Sequence, residues 1–172
     1  MGTRSLTFVY DGKEPIINMY RQFDGYPTGH GAELAEFLAP FTLVNGLGFD
    51  EKRKVANGMG CLAAQLVHNF KGSVGGEEST SMKGRSTNLA GGFYLYPTSA
   101  VDCGQDYEYH IFDNVLTFLD EDGIERRTTE LRIAITNRGC NLFGLTTSDT
   151  NERIFEGNLA EFTEFCTEKE VA

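Results

Sequence analysis

The amino-acid sequence predicts a single α+β domain over residues 1–172, a mainly antiparallel sheet with about three helices packed on it. Three observations lead there. Strand-like segments crowd the second half of the chain, helical periodicity falls in three separate stretches, and turn signals such as Asp11-Gly12, Asp113-Asn114 and Asp122-Gly123 punctuate the strands. A chain of 172 residues with 40% hydrophobic content, 13 Phe and 7 Tyr can also bury one sizeable core, and it is too short for two.

The elements follow in order. Residues 5–10 alternate Leu6, Phe8 and Tyr10 with Thr7 and Val9, the period of a strand. Asp11-Gly12 is a hairpin turn signal, and residues 15–21 form the return strand. After Gly31, Leu34, Phe37, Leu38 and Phe41 recur as the stripe of a core-facing helix, with Pro40 as its stop. Residues 42–49 are a loop, and Asp50 is the N-cap of a longer helix to Phe70 with Val55, Met59, Leu62, Leu66 and Phe70 inward. Gly58 and Gly60 inside that helix cost roughly 1 kcal/mol each relative to Ala, which implies close packing or a kink.

Residues 71–92, "KGSVGGEESTSMKGRSTNLAGG", cannot bury a core and are expected to be a long mobile loop within the one domain. Short strands follow at 93–96, 107–112, 115–119, 124–128, 131–136 and 141–146, punctuated by Asp113-Asn114 and Asp122-Gly123. A last helix starts at Asn158 with Glu161 three residues on, a near capping box, and buries Leu159, Phe162 and Phe165 or Cys166.

The net charge of −10 argues against binding a nucleic-acid backbone, which needs a clustered basic surface. The acids are dispersed among 15 Lys and Arg, so a soluble acidic surface explains them better than DNA mimicry does. No apolar run approaches the roughly 20 residues that span a bilayer. There is no charged-then-apolar leader, and Leu6 stands where a myristoylation motif wants Ser or Thr. Cys61, Cys103, Cys140 and Cys166 lack a C-x-x-C pair and suit reduced, buried thiols. The expected location is the cytoplasm.

The segment "YRQFDGYPTGHG", residues 20–31, joins a strand to a helix. The first N–H groups of a helix have no internal partner and carry the positive end of its dipole. Gly29 and Gly31 would let backbone approach a ligand, Thr28 or His30 would add donors, and Arg21 supplies a fork for phosphate or carboxylate. The same residues also suit a plain corner: Asp24-Gly25 and Tyr26-Pro27 make a turn, and Thr28 caps the helix. The pattern is neither a P-loop nor G-x-G-x-x-G.

"MGTRSLT", "YRQFDGYPTGHG" and "GGFYLYP" together resemble a family of small uncharacterised proteins from bacteriophages and bacteria, most closely over the N-terminal third. The resemblance implies a phage origin, no particular activity, and Arg4, Arg21, Asp24, Tyr26 and His30 as residues to watch.

The expected function is binding of a small phosphate-bearing, nucleotide-like ligand, used by a phage to sequester a host signalling nucleotide. The ligand-binding residues are Arg4, Arg21, Gln22, Asp24, Tyr26, Thr28, Gly29, His30 and Gly31, with Lys83 and Arg85 closing over the ligand. Arg21 and His30, at an exposed helix start, are expected to matter for function and not for folding. One alternative is an acidic interaction protein that binds and inhibits a host protein. Another is a Cys/His hydrolase, but Cys61 and His68 lie two helical turns (roughly 10 Å) apart, so a dyad needs His30 or His110 with Cys103 or Cys140. His30, His68 and His110 show no metal-binding spacing, and "DEDG" at 120–123 falls short of a calcium loop, so neither a metal nor a cofactor is implied. Tyr107 and Tyr109 suit sheet packing better than base stacking. Exposed edge strands make a homodimer reasonable.

Overall fold

The computed structural model describes residues 2–46, 54–71, 92–138 and 151–168. The expected 71–92 loop, with Lys83 and Arg85, and the expected strand at 141–146 lie essentially outside the described residues, as does Asp50.

Six strands form one sheet: β1 (Ser5–Asp11), β2 (Glu14–Arg21), β5 (Phe93–Tyr96), β6 (Tyr107–Leu119), β7 (Glu125–Asn137) and β8 (Glu152–Asn158). Their order is β5-β2-β1-β6-β7-β8, antiparallel at every junction except the parallel β1–β6 pair. A separate parallel pair joins β3 (Phe41–Val44) to β4 (Lys54–Asn57). The helices are α1 (Ala32–Leu38), α2 (Gly58–Lys71) and α3 (Leu159–Glu168). This is the expected mainly antiparallel α+β arrangement with three helices.

The helices cover one sheet face. Val9, Met19, Tyr109, Ile111, Ile133 and Ile135 meet Leu34, Leu38, Leu62, Leu66, Phe70 and Phe162 in the main core. On the other face Leu6, Phe8 and Tyr20 are buried with Cys103 against them, beneath the 97–106 connection. Asn18 Nδ2 ties that connection down by donating to the carbonyls of Pro97 and Ala100 at 3.2 and 2.7 Å. β1 is therefore buried on both faces, which is why Ser5 and Thr7 are as inaccessible as Leu6.

Several expected boundaries are corrected. Phe41 belongs to β3, and residues 42–44 are strand where a loop was expected. Val55 lies in β4, so the second helix begins at Gly58. Gly58 has φ +72°, a left-handed turn from strand to helix that L-residues resist, so it marks a junction and not a mid-helix weakness. The expected pairs 107–112/115–119 and 124–128/131–136 are each one 13-residue strand. β8 was not anticipated. The capping box is formed: Glu161 N donates to Asn158 Oδ1 at 3.0 Å and Asn158 N donates to Glu161 Oε2 at 2.7 Å.

Candidate functional site

Residues 21–31 turn the chain from the sheet into α1 through one wide turn, Pro27–Gly31, with no side-chain cap at its start or at that of α1. Thr28 is therefore not the cap. The turn is pinned from within: His30 N donates to the Asp24 carbonyl at 2.8 Å, Gly25 N to that of Thr3 at 2.9 Å, and the Tyr109 hydroxyl to that of Gly25 at 2.8 Å.

Arg21 and His30 are 1% and 0% exposed, which corrects the expectation of an exposed helix start. Alternation along β2 sends Arg21 to the helix face, where no water can solvate its charge. Glu33 compensates, accepting from the two terminal guanidinium nitrogens at 2.6 and 3.2 Å, while Nε donates to the Phe23 carbonyl. The guanidinium also lies over the Phe93 ring, 5.1 Å from its centroid. Its NH1 donates to His30 Nδ1 at 2.8 Å. Because guanidinium only donates, Nδ1 accepts, so the imidazole proton sits on Nε2 and is donated to Thr7 Oγ1 at 2.8 Å. Burial among Phe70, Phe93 and Tyr109, with the Arg21 charge second, holds the His30 pKa well below 6.5.

The corner's glycines serve the same internal fit. A Cβ on Gly25 would lie 2.7 Å from the Arg4 backbone, on Gly29 2.5 Å from the Asp24 carbonyl, and on Gly31 2.8 Å from Cys166 Sγ. Asp24 takes the left-handed conformation at φ 54°. Asp24 and Thr28 are half-buried at the rim, and Tyr26 is exposed. The groups expected to grip a ligand here are thus mostly turned inward.

Arg4 and Gln22 go the other way. Strand alternation places them on the opposite sheet face, beside Tyr20. The register Tyr20↔Tyr94 and Asn18↔Tyr96 puts two tyrosines of edge strand β5 against it. Tyr20 and Tyr96 stack at 5.1 Å between centroids and 23° between planes, and Tyr94 lies 6.1 Å from Tyr20, tilted by 46°. Tyr94 and Tyr96 are 50% and 37% exposed, so these two rings face solvent while the buried Tyr20 backs them. Tyr20 donates its hydroxyl to Gln22 Oε1 at 2.7 Å, which fixes that amide. Burial raises the Tyr20 pKa, against the Arg4 charge, so the phenol stays a neutral donor. Arg4 is half-buried, its NH1 donates to the Gly104 carbonyl at 3.3 Å, and its buried Nε has no partner among the described residues. The sequence signal for the ladder was present in "GGFYLYP", but its meaning depends on the β2–β5 register.

On the helix side of the same strand a groove of about 430 Å³ is lined by Met19, Val67, Phe93 and Leu95, with Lys71 at its rim. Its walls are apolar and offer few directional groups.

Two of the thiols, Cys166 and Cys103, are poorly suited to nucleophilic catalysis. Burial pushes Cys166 up to about 12, and burial with Asp102 and Glu108 raises Cys103. Cys61 accepts from Gln65 Nε2 at 3.3 Å, and Cys140 lies outside the described residues. No helix among the described residues is long and apolar enough to cross a membrane. Comparison of the chain with protein-family models, curated proteins and solved structures found no match in any of the three.

Proposed function

We propose that the protein binds a small phosphate-bearing, nucleotide-like ligand at the β5 edge, its planar ring on the exposed Tyr94 and Tyr96 and its phosphate at Arg4. The observation that carries this reading is the exposed pair Tyr94 and Tyr96, backed by Tyr20, on the same sheet face as Arg4 and Gln22. Aromatic rings accept any base face, and such stacking is worth about 1–3 kcal/mol per base. Gln22, with Oε1 held by Tyr20, keeps its amide N–H groups aimed by that bond and suited to a ring acceptor. The chemistry needs no catalytic group, which accords with the raised thiols. Under the phage resemblance, the use is sequestration of a host signalling nucleotide.

Thermal-shift screening against nucleotides and cyclic oligonucleotides tests it. A ligand at about 100 times its Kd adds roughly 2.7 kcal/mol of stability, a shift of several degrees. Tyr94→Ala and Arg4→Gln should each shrink that shift while leaving the unliganded melting point near the parent's. No shift across the panel, or shifts indifferent to both variants, would refute the reading.

A further inference from the structure

β6 and β7 stay paired from Tyr107↔Asn137 out to Leu119↔Glu125, but their neighbours stop early. β1 leaves β6 at Ile111, and β8 reaches β7 only as far as Arg132. Beyond those points the hairpin continues as a two-stranded ribbon with both edges open among the described residues. A bare two-stranded ribbon is marginal in water. This one carries large apolar side chains outward: Val115, Leu119 and Ile124 are more than half exposed, Leu119 at 70%, and Phe118 is 49% exposed. Strand alternation puts Val115 and Leu119 on one face, and Leu116 and Phe118 on the other.

The tip is nonetheless cross-linked by hydrogen bonds. Asp120 Oδ1 accepts from Asp122 N and Ile124 N at 3.1 and 2.8 Å, and Arg126 Nε donates to Asp120 Oδ2 at 2.8 Å. The Arg126 bond, then the backbone bonds, hold the Asp120 carboxyl below its ordinary range. A pre-formed ribbon loses little entropy on docking.

Charge selects the partner. Between Asp113 and Glu130 the ribbon carries six acidic and two basic side chains, on a chain of net charge −10. That pattern repels a nucleic-acid backbone and an anionic membrane, and it repels a second copy of itself. We infer that the β6–β7 ribbon is a docking arm for another protein, one presenting an apolar groove rimmed by Lys and Arg. Apolar contacts of Leu116 and Phe118 on one face and of Leu119 on the other supply the buried centre, the groove closing around the ribbon end, and Glu121 and Asp122 supply the rim.

The test compares the full-length parent with the double variant Phe118→Ser, Leu119→Ser and with Tyr94→Ala as a control. Light scattering at low and high salt should show a monomer. A protein captured from lysate is purified and titrated against all three. Its affinity should fall at least 10-fold with the double variant and with added salt, and stay unchanged with Tyr94→Ala. The double variant should melt within about 2 °C of the parent, as an exposed substitution does. A dimer abolished by the double variant would assign the ribbon to self-association and overturn the inference. So would melting lowered as by a core deletion, which would place the ribbon inside this chain's own core. Capture that ignores the double variant, or fails altogether, also overturns it.

Discussion

The corner at residues 21–31 and the ribbon at 113–130 each invert the usual partition of side chains, in opposite senses. The corner buries an arginine and a histidine, and the ribbon exposes a phenylalanine and a leucine. The corner's polar groups are paired in a closed chain from Glu33 through Arg21 and His30 to Thr7, so their charge and donors are spent inside. The ribbon's apolar groups meet no second layer among the described residues. A buried polar group with all its partners is a structural pin. An exposed apolar group on an ordered frame is an offer of contact.

Breaking the corner should have the largest effect. Arg21→Met removes the charge that Glu33 faces and the donor that fixes His30. The expected loss is about 3 kcal/mol, the low end for a broken buried pair because Glu33 keeps some water. His30→Ala should cost a similar amount, about 2–4 kcal/mol, by leaving a cavity between Phe70, Phe93 and Tyr109. Urea denaturation measures both. Losses under 1 kcal/mol would restore the corner as an exposed functional loop.

Acid should open the same corner. The His30 pKa is depressed in the folded state, so the unfolded chain takes the proton more readily. Its contribution is full above pH 6.5 and declines as pH falls below that value. Glu108 adds a second loss lower down. Burial raises its pKa, but bonds from His110 and Gln105 and the Arg138 charge outweigh burial and hold it below 4.5, so its contribution fades as pH falls past there. Unfolding free energies measured from pH 8 to 4 should be flat and then fall. A rise on acidification would contradict the His30 assignment.

The ribbon supplies the smallest effect and the sharpest contrast. Leu119→Ser in the isolated protein should change stability by no more than about 0.5 kcal/mol, although Leu is one of the most apolar residues. A loss of several kcal/mol in the same denaturation series would erase the distinction between the two regions.

Local signals in the sequence were legible and long-range ones were not. The Asn158/Glu161 capping box and the Asp11-Gly12 hairpin turn involve neighbours, and both were identifiable from spacing alone. Phe41 continued the helical stripe by coincidence of period, and only its pairing with Lys54 makes it strand. Asp113-Asn114 looks like a turn because polar residues are common there. On an unsupported ribbon their side chains stay in contact with water, so a strand tolerates them. The burial of Arg21 was hidden because its partners, Glu33 and His30, lie on the far side of the turn and Thr7 is one strand away. The ladder was hidden for the same reason: Tyr20 and Tyr94 are neighbours only through sheet register.

The central claim is that the corner is a pin and the β5 edge is the ligand site. Amide chemical-shift mapping during titration with adenosine monophosphate, as a representative nucleotide, tests it most directly. The account predicts perturbations at Arg4, Tyr20, Gln22, Tyr94 and Tyr96, with His30 and Glu33 unmoved. Perturbations centred on Thr28 to Gly31, with the tyrosines silent, would contradict it and return the site to the corner.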